Sequence, residues 1–233
     1  MKKLAIILIV LFIGCDKHNP KTQYLSTIID LSEEGSYKPT SKEILSYLKK
    51  GHHSDGIEIS LRYVSETRYA PKYQFVLQQG EVGWLSNEDT QRRKKRLLLK
   101  QFKDTLQSTL ESQQPLQRSE IFRLVVDELE HLSKQKGKRT LLLVSDIKEH
   151  SSLFSMYDKG QLQKLLREPM TLVELFQDHV VIPENLSGIT LHILYRPKPE
   201  EDLGFTAMVA LYRSLFESRG ATVKVSQVHI ITL

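Results

Sequence analysis

The chain has 233 residues, 33 lysines and arginines against 28 aspartates and glutamates, and a formal net charge of +5, with 40% hydrophobic residues. That length and apolar content suffice for one α/β domain with a real core. The mild positive balance excludes the strongly basic footprint of a nucleic-acid binder, and a single cysteine excludes intramolecular disulfides.

The N-terminus reads Met1-Lys2-Lys3, an unbroken apolar run over residues 4–13, then Gly14-Cys15 and an abrupt polar turn at Asp16-Lys17-His18. A charged start, an apolar centre and a small residue at the cut are the parts of a signal peptide. Ten apolar residues rise about 15 Å as a helix, half of a roughly 30 Å hydrocarbon core, so the segment is too short for a span. Leu11-Phe12-Ile13-Gly14-Cys15 resembles a bacterial lipobox, although Phe12 stands where such motifs usually carry leucine. The resemblance implies cleavage after residue 14, a lipid-modified Cys15 as the first mature residue, a short tether over 15–23, and a place in the bacterial cell envelope facing the periplasm or exterior. Losing Lys2 and Lys3 takes the net charge to about +3. Several acyl chains, at about 0.8 kcal/mol per buried methylene, would hold the protein on a membrane.

One domain is expected over residues 24–233. A strand over 24–31 ends in the oxygen-rich turn Asp30-Leu31-Ser32-Glu33-Glu34-Gly35-Ser36. Thr40-Ser41-Lys42-Glu43 has the form of a capping box opening a helix with Ile44, Leu45 and Leu48 on one face and Gly51 as its stop. From Gly56, Ile57, Ile59, Leu61 and Tyr63 alternate with Glu58, Ser60 and Arg62, and a second run over 73–77 completes a hairpin. A long helix follows from near Ser86 to Leu110, then a second over 119–136. Residues 140–144 are continuously apolar, as in a strand buried on both faces, and end on Ser145-Asp146. Helical pieces over 160–167 and 170–177, a strand over 189–195, a helix over 205–219 stopped by Gly220, and a strand over 221–233 close the chain. Strands alternating with helices predict a three-layer Rossmann-like α/β fold: a mainly parallel sheet with one antiparallel strand and helices on both faces.

In such sheets ligands gather at the carboxyl ends of strands, so Asp30 with Ser32, and Ser145 with Asp146, are expected on one rim. Carboxylates and hydroxyls suit Mg²⁺ or Mn²⁺. The order of elements with these residues resembles the von Willebrand factor A domain over residues 24–233. The resemblance implies a metal-ion-dependent adhesion site built from Asp-x-Ser-x-Ser, a threonine and a later aspartate: Asp30 and Ser32 match the first two positions and Asp146 the last. Glu34 replaces the second serine, and Ser119 is the nearest match to the threonine. The function so implied is protein binding or assembly at the carboxyl-end rim, with a cation accepting a partner's acidic side chain.

Two other readings stay open: a metal-dependent hydrolase with Asp30 and Asp146 as ligands and Glu34 as base, and a structural envelope subunit with a degenerate site. A deep pocket around these three residues would favour the hydrolase. No Gly-x-Ser-x-Gly elbow and no phosphate-binding glycine loop occurs, and the cysteine is committed to lipid. The basic run Arg92-Arg93-Lys94-Lys95-Arg96 reads as a solvated helix face that could meet anionic lipid or an acidic partner. His52-His53 with Asp55 has no further histidine at metal-ligand spacing.

Overall fold

A computed structural model describes residue 19 and residues 21–64, 71–80, 88–112, 116–197 and 202–228. The expected signal peptide, Cys15 and most of the expected tether lie outside the described residues, as does the end of the expected closing strand. In chain order the elements are β1 (Thr22–Ile29), α1 (Ser41–Leu45), β2 (Gly56–Tyr63), β3 (Lys72–Leu77), α2 (Glu88–Ser112), α3 (Ile121–Ser133), β4 (Lys138–Val144), α4 (Lys159–Arg167), α5 (Pro169–His179), β5 (Ile189–Tyr195), α6 (Asp202–Glu217) and β6 (Thr222–Gln227). The strands form one sheet in the order β3-β2-β1-β4-β5-β6. Every neighbouring pair is parallel except β2 with β3.

β4 shows why the sheet must be covered on both sides. Successive strand residues point to opposite faces. Leu141 and Leu143 join a core with α3, α4, α5 and α6, while Leu142 and Val144 join a second core with α1 and α2. Phe122 of α3 centres the first core, with its ring 4.3 Å from that of Phe176 and 5.7 Å from that of Tyr212. In the second, Phe102 of α2 meets Phe75 of β3 edge-on at 5.6 Å. The fold is thus a three-layer, Rossmann-like α/β sandwich. Among the described residues no helix is long and apolar enough to cross a membrane.

Two expectations change. The Thr40–Glu43 capping box forms, but α1 ends at Leu45 rather than running to Gly51. Ser46 turns its hydroxyl onto the Glu43 carbonyl at 2.6 Å, and the amides of Tyr47 and Leu48 reach back only three residues; local serine bonding competes with the α-helical ladder. α3 covers the polar side of β2. Glu128 of α3, 1% exposed, receives Arg62 Nη1 at 3.1 Å and Lys72 Nζ at 3.0 Å, and the Ser60 hydroxyl donates to it at 3.3 Å. These two cations hold the Glu128 carboxyl below its usual value against the opposing effect of burial, which is the largest single influence on it. Finally, the helix expected from Ser119 begins at Ile121, with Glu120 at its N-cap making no side-chain cap.

β1 and β4 are neighbours, yet the chain leaves β1 for one edge of the sheet and β4 for the other. That makes the β1/β4 boundary the topological switch point, where a crevice opens beyond the carboxyl ends of the strands.

Candidate functional site

The Asp30 amide donates to Val144 O at 2.9 Å, extending the β1–β4 ladder one residue past β1 and fixing the aspartate over the switch point. Asp30 is 6% exposed. Oδ1 accepts from the Ser32 amide at 3.0 Å and the Ser32 hydroxyl at 2.6 Å, and Oδ2 accepts from the Ser145 hydroxyl at 2.7 Å. Ser145 Oγ in turn accepts from Ile147 N at 2.7 Å. Burial pushes the Asp30 carboxyl above its ordinary value; the nearby Asp146 charge adds to that, and the bonds from Ser32 and Ser145 oppose it. Ile147 carries φ +49°, a left-handed conformation costly for a β-branched residue. Its fully buried side chain and the amide bond to Ser145 hold it there.

Asp30, Ser145 and Asp146 line a small cavity of about 30 Å³ together with Tyr37 and Arg196. This holds about one or two water-sized spheres. The structure therefore brings Asp30, Ser32, Ser145 and Asp146 together on one rim. It does not bring in the other two candidates. Glu34 is exposed on the turn before Gly35 and does not line the cavity. Ser119 forms an antiparallel bridge with His150 and donates its hydroxyl to Lys148 O at 3.1 Å.

A hydroxyl that donates to a carboxylate keeps its lone pairs. Ser32 Oγ, with Asp30 and Asp146, therefore presents oxygen donors of the type that Mg²⁺ or Mn²⁺ accepts, and a positive charge there would offset the crowding of the two carboxylates. With so few protein ligands such an ion would keep several waters. Arg196 brings a competing positive charge to the same cavity. Among the described residues no cluster of three or more histidine, cysteine or acidic side chains is placed to hold a metal. His52 instead bonds the Ser54 hydroxyl at 2.8 Å, and His53 lies 3.4 Å from Glu88.

The rest of the rim carries residues with no motif to announce them. Glu33 Oε1 accepts from Tyr157 OH at 2.5 Å and from Lys148 Nζ at 3.0 Å, and Lys148 lies 4.4 Å over the Tyr157 ring. This clamp ties the turn after β1 to the loop after β4. Burial and the Glu33 bond both push the Tyr157 hydroxyl well above its ordinary value, keeping it a donor. Beside the clamp opens a cleft of about 450 Å³ that shares Asp146 with the small cavity. Its floor is the stacked pair Tyr195–Phe205, with ring centroids 3.7 Å apart, and its apolar walls include Leu162, Leu166 and Leu203. Leu203 is 76% exposed. Lys148 and Lys159 stand at its polar side.

No family model matches this sequence, and no curated protein matches it significantly.

Proposed function

We propose that this chain is a lipid-anchored protein of the bacterial cell envelope that binds a protein partner at the carboxyl-end rim of a von Willebrand A-like domain. The observation that carries this reading is the position of Asp146, shared between the polar cavity of Asp30 and an apolar cleft of about 450 Å³. An exposed apolar wall beside a fixed pair of carboxylates and two lysines is the chemistry of a docking surface, with apolar contact for affinity and charges for register. The strand order and the convergence of Asp30, Ser32 and Asp146 support the A-domain likeness. In the metal-dependent form of this reading, Asp30, Ser32 and Asp146 hold a hydrated Mg²⁺ or Mn²⁺ that accepts a partner's carboxylate. The small size of the Asp30 cavity, and the position of Glu34 off it, favour binding over metal-dependent hydrolysis.

The test is recovery of the full-length, tagged chain from detergent-solubilised membranes of its native host. A co-purifying protein is expected to be lost with Asp146→Ala and with Leu203→Asp, and kept with Val181→Asp, an exposed apolar position in the loop leading into β5. A partner retained by both rim variants would overturn the reading.

A further inference from the structure

The densest cationic run of the chain sits on the end of the molecule where β1 begins. All the parallel strands start at one rim, and α2 starts there too. The Lys21 amide donates to Asp55 Oδ1 at 3.0 Å, Asp55 Oδ2 accepts from the His52 amide at 2.8 Å, and the neighbouring His53 lies 3.4 Å from Glu88, the first residue of α2. Gly80, which precedes α2, donates its amide to Ser54 O at 2.8 Å. The first residues of β1 and the first turns of α2 are thus joined through the short loop 52–55.

On this end Arg93, Lys94 and Arg96 are exposed, and Lys49, Lys50 and Lys136 are exposed in the segments that lead into β2 and β4 at the same rim. Arg92 is paired with Glu88 and Lys100 with Asp104, but Arg93, Lys94 and Arg96 make no ion pair among the described residues. Leu97, 58% exposed, follows Arg93 by one helical turn, placing an apolar side chain among the cations. Cations with an interspersed apolar residue, on the first turns of a helix that begins at one end of the domain, match an anionic bilayer surface.

The geometry points to a membrane-facing role: we propose that the amino-end rim, with the first turns of α2, lies on anionic phospholipid headgroups. The choice of occupant rests on this charge and on the proposed lipid at Cys15. Six residue steps from Cys15 to Lys21 span at most roughly 20 Å, so this rim is the part of the domain held nearest the bilayer. The carboxyl-end rim, at the far ends of the same strands, then faces away from the membrane, where a partner reaches it.

The test uses a chain beginning at Asp16, which keeps the whole described fold and carries no acyl group, in co-sedimentation with phosphatidylcholine vesicles with and without a phosphatidylglycerol fraction. Partitioning is expected only with the anionic lipid. High salt should reverse it, and the triple variant Arg93→Gln, Lys94→Gln, Arg96→Gln should weaken it by about a hundredfold, each cation near an anionic surface contributing a several-fold factor. Thermal unfolding of the triple variant confirms that it folds, since these side chains touch neither core. Equal partitioning of parent and variant, or no preference of the parent for anionic vesicles, overturns the inference. The anchor is read separately, from the mass of the full-length protein extracted from membranes: an unmodified Cys15 with retained vesicle binding removes the anchor and leaves the rim, whereas an acylated Cys15 without vesicle binding removes the rim alone.

Discussion

Glu149 offers a prediction with a sign and a size. Its side chain is 2% exposed and accepts the Phe122 amide at 2.9 Å at the start of α3, where Glu120, the N-cap residue, supplies no side-chain cap. A carboxylate from the loop after β4 thus caps a helix 27 residues earlier in the chain. Burial pushes this carboxyl from 4.5 to about 8, against the opposing amide bonds from Phe122 and Ile121. The folded state therefore binds the proton more tightly than the unfolded chain. Its stabilising effect is complete below pH 4.5, declines as pH rises, and is gone above about pH 8. At 1.36 kcal/mol per pH unit the ceiling is on the order of 5 kcal/mol. Glu149→Gln keeps an acceptor oxygen for the Phe122 amide and removes the charge. Urea unfolding of parent and variant between pH 5 and pH 9 is the assay, with the difference between the two curves as the readout, since every other titrating group contributes to both. The variant is expected to gain on the parent as pH rises to about 8 and to hold that gain above it. Glu149→Ala, which removes the cap, should lose about 1–2 kcal/mol even at low pH. Parallel curves for parent and Glu149→Gln would refute the reasoning.

Glu128→Gln leaves Arg62 and Lys72 without their buried counter-charge, so a loss of about 3–5 kcal/mol is expected in chemical denaturation; a loss under about 1 kcal/mol would mean that the two cations reach solvent. Cys15→Ser should abolish acylation and block processing in a strain with lipoprotein signal peptidase, as read by mass and by gel mobility, whereas an ordinary secretory signal would still be cut. Titration of the chain from Lys17 onward with Mg²⁺ or Mn²⁺ should raise its thermal midpoint, by roughly 3 kcal/mol of stabilisation at a hundred times Kd. The rise should vanish in Asp30→Ala and Asp146→Ala. An unmoved midpoint in the parent would sink the metal-dependent form of the binding site.

The legible and the hidden parts of this structure divide by the range of the forces involved. β4 was legible because a strand buried on both faces must be apolar at every position, and Thr140 to Val144 has only one polar residue, at its start. The Asp30 and Asp146 rim was legible because strand ends and fold class together decide where carboxylates converge. The capping box of α1 is a local pattern spanning four residues. Its early end was harder to foresee, because Ser46 competes with the backbone from within a run whose apolar spacing still looks helical. Ser119 looked like a helix start, yet the cap comes from Glu149, whose placement depends on the whole β4 loop. The Glu33–Tyr157 bond spans 124 residues and has no local signature. The cleft walls come from α4 and α6: Leu203 stands before the helix expected from residue 205, and it meets Leu162 and Leu166 only once the two helices are packed together. The polar alternation of β2 was plain, but its reason, the Glu128 partner on α3, lies 66 residues from Arg62.

The most direct measurement for the proposed binding rim is site-specific photo-crosslinking in living cells, with the photoreactive side chain placed at Leu203 in the cleft or, in parallel, at Val181 in the loop leading into β5. Both positions are exposed. A single discrete protein adduct from Leu203, absent from Val181 and lost when Asp146→Ala is added, is the expected result. No adduct from Leu203, or the same adduct from both positions regardless of Asp146, would contradict a binding site at the carboxyl-end rim.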